Sequence, residues 1–135
     1  MPKLVTDPCP CGAAQRYAEC CGRYHAGPEQ LRAPDAESLM RSRYCAYVLQ
    51  LGEYLLATWH PSTRPASPME FEAGLRWLGL QVLRHEAVDA DRARVEFVAR
   101  SKLGGRAHRH HELSRFVREA GRWLYVDAVN DAGLR

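Results

Sequence analysis

The stretch after residue 34 carries apolar residues at the spacing of an α-helix. Asp35 can cap the first turn, and Glu37 lies where the helix dipole favours an acidic side chain. Gly52 provides a stop signal at the other end. The spacing therefore predicts a helix between Asp35 and Gly52, with an apolar face made of Met40, Tyr44, Tyr47, Val48 and Leu51.

Two shorter helices are predicted before residue 76. The first covers EYLLATWH (53–60) and ends because Pro61 cannot continue it. The second is expected around Met69–Gly74, because Ser67 and Glu70 have the spacing of a capping box. Together with the longer helix, they make three helices in the middle of the chain.

From Arg76 onward, the segments are rich in β-branched and aromatic residues and are separated by short turns. The turns read DADR, LGGR and EAGR, and they separate four segments: RWLGLQVLRHEAV, ARVEFVAR, AHRHHELSRFVR and RWLYVDAV. Helices followed by strands predict an α+β fold, in which three helices pack on a curved four-stranded antiparallel sheet. We expect this domain to span residues 34–135, preceded by a small cysteine-rich unit at residues 1–27.

The composition is that of a folded protein, with 46% hydrophobic and 26% charged residues in a chain of 135. No run approaches the roughly 20 apolar residues of a membrane span. The first residues lack the apolar core of a secretory signal. We therefore expect a cytoplasmic location and no membrane partner. The formal charge of +3 is too small to indicate a nucleic-acid partner by itself.

Four of the five cysteines lie between Cys9 and Cys21. In a reducing compartment such a cluster indicates a metal site more than disulfides, although a redox dithiol is an alternative. Zinc takes four such ligands in a tetrahedron, so the predicted cofactor is zinc. The predicted ligands are Cys9, Cys11, Cys20 and Cys21, with His25 as an alternative to the last. Cys45 is interpreted as a small buried apolar residue away from the cluster.

The run CPCGAAQRYAECCG resembles the short zinc-binding SEC-C motif at the end of the translocation ATPase SecA. The shared feature is Cys-x-Cys, an eight-residue gap and Cys-Cys. The motif usually reads Ser-Gly-Lys-Lys after its first cysteines, whereas this chain has Ala-Ala-Gln-Arg at residues 13–16. The SecA motif contacts an acidic chaperone surface and the ribosome. Because lysines matter for such contacts, the resemblance implies zinc here without implying those partners.

Most of the chain resembles the YchJ family of bacterial proteins. The segments that carry the resemblance are SLMRSRYCAYVLQLGEYLLATWHPSTRP, WLGLQVL, VEFVAR and HELSRFVREAGRWLYVDA. The resemblance implies the cone-shaped fold of nuclear transport factor 2 and ketosteroid isomerase, with a pocket between the helices and the concave sheet face. It implies little about activity, because this fold carries enzymes and binding modules alike.

The residues expected in that pocket are Arg43, Tyr47, Trp59, His60 and Glu112. Arg43 either pairs with a buried carboxylate such as Glu112 or clamps an anionic ligand. His60 either ends a helix or serves as an acid or base. Farther along, His108 and His110 share one strand face, but no third ligand indicates a second metal there.

Two classes of function fit these features. The first is a zinc-containing binding or adaptor protein that recognises a protein or a small acidic ligand. The second is a small-molecule enzyme of the isomerase, dehydratase or hydrolase type, which needs a base near the substrate. A nucleic-acid partner is not expected, because the aromatic residues read as internal and leave no stacking platform. A homodimer through the sheet is a further expectation.

Overall fold

The computed structural model describes residues 7–67 and 70–129. A 3₁₀ turn at Tyr17–Glu19 leads into the short helix α1. The helices are α1 (Gly22–His25), α2 (Ala36–Leu49) and α3 (Gly52–Ala57), and the strands are β1 (Arg76–Asp89), β2 (Arg92–Leu103), β3 (Arg106–Glu119) and β4 (Arg122–Ala128). The α+β class, with three helices and a four-stranded antiparallel sheet, is confirmed.

Helix α2 forms where its apolar spacing predicts. The Asp35 side chain accepts a hydrogen bond of 2.7 Å from the Ser38 amide, so it satisfies one of the free donors of the first turn. The helix ends at Leu49, and its C-cap Gln50 has a left-handed φ of 60°. Gly52 does not end it but begins α3. Its buried face includes Leu39, Met40, Arg43, Tyr44 and Cys45.

The sheet has the order β1-β2-β3-β4, and every neighbouring pair is antiparallel. Short turns join consecutive strands, as the Gly-containing and Asp-containing segments predict. On β2, alternate side chains from Ala93 to Ser101 are buried on the inner face. This face packs against α2 and closes the hydrophobic core.

The helix expected around Met69–Gly74 is wrong for the part that the structure describes. Residues 70–72 are irregular, a turn lies at Ala73–Gly74, and Pro68 and Met69 fall outside the described residues. The Leu75 amide donates to the Glu72 carbonyl at 3.2 Å and Gly74 has a left-handed φ of +81°, so the chain turns here and enters β1. The third helix of the structure is α1, which lies next to the cysteines and was not predicted.

The end of the predicted second helix is also different. The segment Thr58–His60 pairs with β4, since the His60 amide donates to the Tyr125 carbonyl at 2.7 Å. In return, the Tyr125 amide donates to the Thr58 carbonyl at 2.8 Å. Because Trp59 and His60 pair with β4, they do not belong to the helix, which ends at Ala57.

The cysteine-rich segment packs directly onto the rest of the molecule. Arg41 of α2 donates a hydrogen bond of 3.0 Å to the Cys11 carbonyl. The cysteines belong to the same hydrophobic core as Leu39 and Phe97. The division into residues 1–27 and 34–135 stays a prediction. No helix among the described residues is both long and apolar enough to cross a bilayer.

Candidate metal centre and cavity

Four cysteine sulfurs converge at the contact between the N-terminal segment and α2. Their Sγ atoms lie within 4.8 Å of one another, and all four residues are buried: Cys9, Cys11, Cys21 and Cys45. The sulfurs of Cys9 and Cys45 are 3.4 Å apart. Tetrahedral zinc with bonds of about 2.3 Å separates its sulfur ligands by roughly 3.8 Å, so a metal ion fits this group.

Local backbone geometry brings the first two of these cysteines together. Gly12 has a φ of +84°, and its amide donates to the Cys9 carbonyl at 3.1 Å. The Cys9 amide in turn donates to the Gln15 carbonyl at 2.7 Å, which closes a tight loop. Only glycine adopts this φ without strain, so the turn depends on Gly12. Cys21 then enters from the start of α1.

Cys20 lies beside the group but is not one of the four. Its sulfur is 3.7 Å from that of Cys11, and its side chain is buried. The sequence-based expectation placed Cys20 in the ligand set and Cys45 away from it. Cys45 lies within the cluster, so that interpretation of its location is wrong. The four predicted ligands stay a prediction as a metal-binding set.

The electrostatics of the cluster favour a bound cation. Hydrogen bonds from Cys21, Cys45 and Cys9 hold the pKa of Cys11 far below its usual value. Contact with the Cys11 thiolate raises the pKa of Cys21 and of Cys45, while burial raises that of Cys20 to about 12. Several thiolates can therefore coexist here only if a positive ion offsets their repulsion.

His25 is engaged elsewhere and does not join the cysteine group. Its Nε2 donates to the Ser42 carbonyl at 2.8 Å, and its Nδ1 accepts from the Tyr17 hydroxyl. Burial lowers the pKa of His25, which fits a neutral ring with both nitrogens occupied. The ring packs edge-on against Tyr54 at 4.6 Å between centroids.

A cavity of about 380 Å³ lies between α2 and the inner face of the sheet. Its walls are mostly apolar and aromatic, with a few polar residues among them. The lining residues include Met40, Tyr44, Tyr47, Trp77, Phe97 and Phe116, with Arg43, His110, Glu112, Ser114 and Tyr125 as the polar members. Cavities of this kind are the usual binding sites for small molecules.

Arg43 is buried at the edge of this cavity, with only 5% of its surface exposed. Its Nη1 donates to the Leu55 carbonyl at 2.8 Å and to the Thr58 hydroxyl at 2.7 Å. The guanidinium also lies over the Tyr125 ring at 4.6 Å. No ion pair joins it to a carboxylate of the described residues, and burial lowers its pKa. The pairing with Glu112 that one interpretation expected is therefore not formed.

Glu112 is held by its own set of donors. His110 Nε2 lies 2.7 Å from Oε1, and the hydroxyls of Ser114 and Tyr125 donate to Oε2. Burial acts to raise the pKa of Glu112, but these hydrogen bonds outweigh it and lower the pKa. The pKa of His110 is raised by the same contact. The carboxylate is thus ionised and satisfied without Arg43.

Of the five residues expected in the pocket, three line the cavity: Arg43, Tyr47 and Glu112. Trp59 and His60 do not line it, because their segment pairs with β4. Trp59 packs behind Arg43, at 5.0 Å from the guanidinium. His60 contacts Glu119 at 2.8 Å on the outside of the molecule. His110, Ser114 and Tyr125 were missed, although strand alternation places the first two on the face of Glu112.

The fold and the cysteines define an NTF2-like domain joined to a SEC-C motif. Residues 35–128 match the family described as the YchJ middle NTF2-like domain, and residues 6–23 match the SEC-C motif. The chain belongs to the YchJ-like family.

Curated relatives and solved structures agree with this assignment. A UPF0225 protein of Methylibium petroleiphilum is 62% identical over 92% of this chain and 89% of its own length. One from Bordetella pertussis is 58% identical over 88% of this chain and 90% of its own length.

Two solved SEC-C motif containing proteins are similar in structure. The one from Rhodopseudomonas palustris is 33% identical, with a TM-score of 0.76 over 91% of this chain and 98% of that one. The one from Psychrobacter arcticus is 31% identical, with a TM-score of 0.77 over 93% of this chain and 83% of that one.

Proposed function

We propose that this protein is a zinc-containing binding protein whose cavity takes a small acidic ligand. The main support for this proposal is that the guanidinium of Arg43 is buried and has no carboxylate partner among the described residues. Its Nε and Nη2 form no hydrogen bond with a described residue, so they are available to a ligand. Burying a charge without a partner is costly, and a bound anion would offset that cost.

The rest of the cavity restricts what kind of acid it takes. Aromatic rings of Tyr44, Trp77 and Phe97 favour a flat apolar body. Tyr47 also lines the cavity, and its hydroxyl has no hydrogen-bond partner among the described residues. A ligand with one anionic group and an aromatic body matches this arrangement.

The zinc would be held by thiolates of Cys9, Cys11, Cys21 and Cys45. When bound, it supplies a structural cross-link between the N-terminal segment and α2. The chain's own residues position the thiolates, through the Gly12 turn and the buried face of α2. The five free cysteines fit a reducing compartment, so we propose a cytoplasmic location.

Calorimetry with 2-naphthoate and the neutral 2-naphthalenemethanol tests the ligand site. We expect the carboxylate to bind about tenfold or more tightly than the alcohol, because a hydrogen bond to a charged group contributes about 1.5–3 kcal/mol. Arg43→Met should remove the difference, while the exposed Arg32→Met should retain it. Equal binding of acid and alcohol by the unmodified protein would contradict the proposal.

The enzyme alternative is favoured by one observation, the 2.7 Å contact of His110 with Glu112 in the cavity. With Nε2 donating to Glu112, His110 Nδ1 can accept a proton from a bound substrate. Phenylpyruvate is a suitable probe, since it combines a carboxylate, a ring and acidic methylene protons. Proton exchange in D₂O that is accelerated by the protein and lost in His110→Gln would support the enzyme. Exchange at the uncatalysed rate would rule out this use of the dyad.

A further inference from the structure

The outer face of the sheet carries four cations in two adjacent rows. The β1–β2 register places Arg76 opposite Lys102, and the β2–β3 register places Arg100 opposite Arg109. Their neighbours Ser101 and Ala99 are buried on the inner face, so these four side chains point to the opposite side. All four are exposed. We call this set the cationic rows.

No acidic residue in the described part of the chain offsets the cationic rows. None of the four forms an ion pair or a side-chain hydrogen bond with a described residue. By contrast, five other arginines form ion pairs with carboxylates: Arg41, Arg84, Arg92, Arg115 and Arg118. The direct opposition of Arg100 and Arg109 is unfavourable for the sheet, since like charges opposite each other destabilise a strand pair.

We propose that the cationic rows bind the phosphate backbone of a nucleic-acid duplex, DNA and RNA alike. Three of the four are arginines, whose forked donors fit phosphate oxygens. Cross-strand side chains are about 5 Å apart, so neighbouring cations can contact separate phosphates of one backbone. No Phe, Tyr or Trp side chain lies in these rows within the described residues, and contact with the backbone needs none.

A duplex partner differs from the sequence-based expectation, which was that nucleic acid is not a partner. That expectation rested on the lack of an exposed stacking platform, which single strands require. A duplex hides its bases and presents phosphates, so cations alone supply its non-specific binding. A membrane is a poorer fit, because Leu78 is the one large apolar side chain among the described residues exposed near these rows.

Fluorescence anisotropy of the full chain with a labelled duplex of about 20 base pairs tests the proposal. Four phosphate contacts predict a slope of about −3.6 for log affinity against log salt, so affinity should fall about 150-fold between about 50 and 200 mM salt. The variant Arg100→Glu with Arg109→Glu should lose about tenfold or more in affinity. The control Arg32→Glu with Arg64→Glu has the same charge change at exposed positions elsewhere and should lose far less.

Thermal unfolding of the single variant Arg109→Glu provides a second readout. It creates an opposite-charge pair with Arg100, so we expect an unchanged or higher melting temperature together with weaker duplex binding. Equal losses in the two double variants would overturn the proposal, since binding would then follow net charge alone. Tighter binding to phosphatidylglycerol vesicles or to poly-glutamate than to the duplex would overturn it in favour of a membrane or an acidic protein.

Discussion

At the scale of single residues, Arg43 and Glu112 show how one cavity keeps two opposite charges apart. Glu112 receives its hydrogen bonds from His110, Ser114 and Tyr125, so it does not need the guanidinium. Arg43 is fixed by the Leu55 carbonyl and the Thr58 hydroxyl. The positive charge is therefore held in place and still available to a ligand.

Substitution of Arg43 by methionine should weaken the fold only modestly. The change removes the two hydrogen bonds of Nη1 but leaves no carboxylate without a partner, so we expect a loss of about 1–3 kcal/mol. Breaking a buried ion pair would cost about 3–5 kcal/mol. Denaturant unfolding of the two proteins measures the difference. A loss of unfolding free energy in the larger range would indicate that Arg43 has a purely structural role.

The stability of the fold should depend on the ionisation of Glu112. Its pKa is lowered in the folded protein, so its contribution is complete above the ordinary value near 4.5. The contribution is lost as the pH falls through the lower pKa of the folded state. The stability gap between the unmodified protein and Glu112→Gln should therefore narrow below about pH 4.5. A gap that stays constant down to about pH 3 would contradict this assignment.

At the scale of elements, α2 connects the two candidate sites. One part of its buried surface presents Cys45 to the other cysteines, and another presents Arg43, Tyr44 and Tyr47 to the cavity. A change that loosens the helix should therefore affect both sites. This coupling follows from the rigidity of a helix, in which neighbouring positions move together.

Removal of the N-cap of α2 tests how much the first turn of this helix contributes to stability. Asp35→Ala deletes the acceptor for the Ser38 amide and should cost about 1 kcal/mol of stability. Asp35→Ser should retain most of that stability, because serine is also a good N-cap. Thermal melts of the three proteins give the comparison. Equal melting temperatures for the alanine and unmodified proteins would show that the cap contributes nothing.

The sequence predicts those elements whose signals are local. The period of α2, and the β-branched and aromatic content of the strands with their turns, follow from side chains within a few positions, and both predictions are confirmed. The capping box at Ser67 and Glu70 is a local signal too, but the chain turns at Ala73–Gly74 and then pairs as β1, so contacts of the sheet prevail over it. Cys45 lies far from Cys21 in sequence, so its position in the cluster depends on how α2 packs and has no local signal.

At the scale of the whole molecule, the cysteine-rich segment is part of the core. His25 donates to the Ser42 carbonyl of α2, and the cysteines pack with Leu39 and Phe97. The predicted boundary between residues 1–27 and 34–135 therefore crosses many contacts. A zinc ion bound to Cys45 as well as to the N-terminal cysteines would join the two parts more firmly.

A fragment that begins at Pro34 tests how far the larger part is independent. We expect it to unfold cooperatively, because the sheet, α2 and α3 retain their shared core. Its melting temperature should be lower than that of the full chain, since Cys45 loses its contact with Cys9 and the Ser42 carbonyl loses its hydrogen bond from His25. Calorimetric unfolding measures both properties. A molten fragment without a cooperative transition would show that the two parts fold only together.

Zinc analysis of two matched variants, Cys45→Ser and Cys20→Ser, tests whether α2 supplies a ligand to the metal centre. Protein purified without added zinc should hold close to one equivalent, since such a site takes one ion with four thiolates. Cys45→Ser should lose the metal or release it readily to a chelator, while Cys20→Ser should keep it. Loss from Cys20→Ser with retention by Cys45→Ser would contradict the claim that α2 supplies a ligand. Absence of zinc from the unmodified protein, even after its addition, would contradict the metal centre itself.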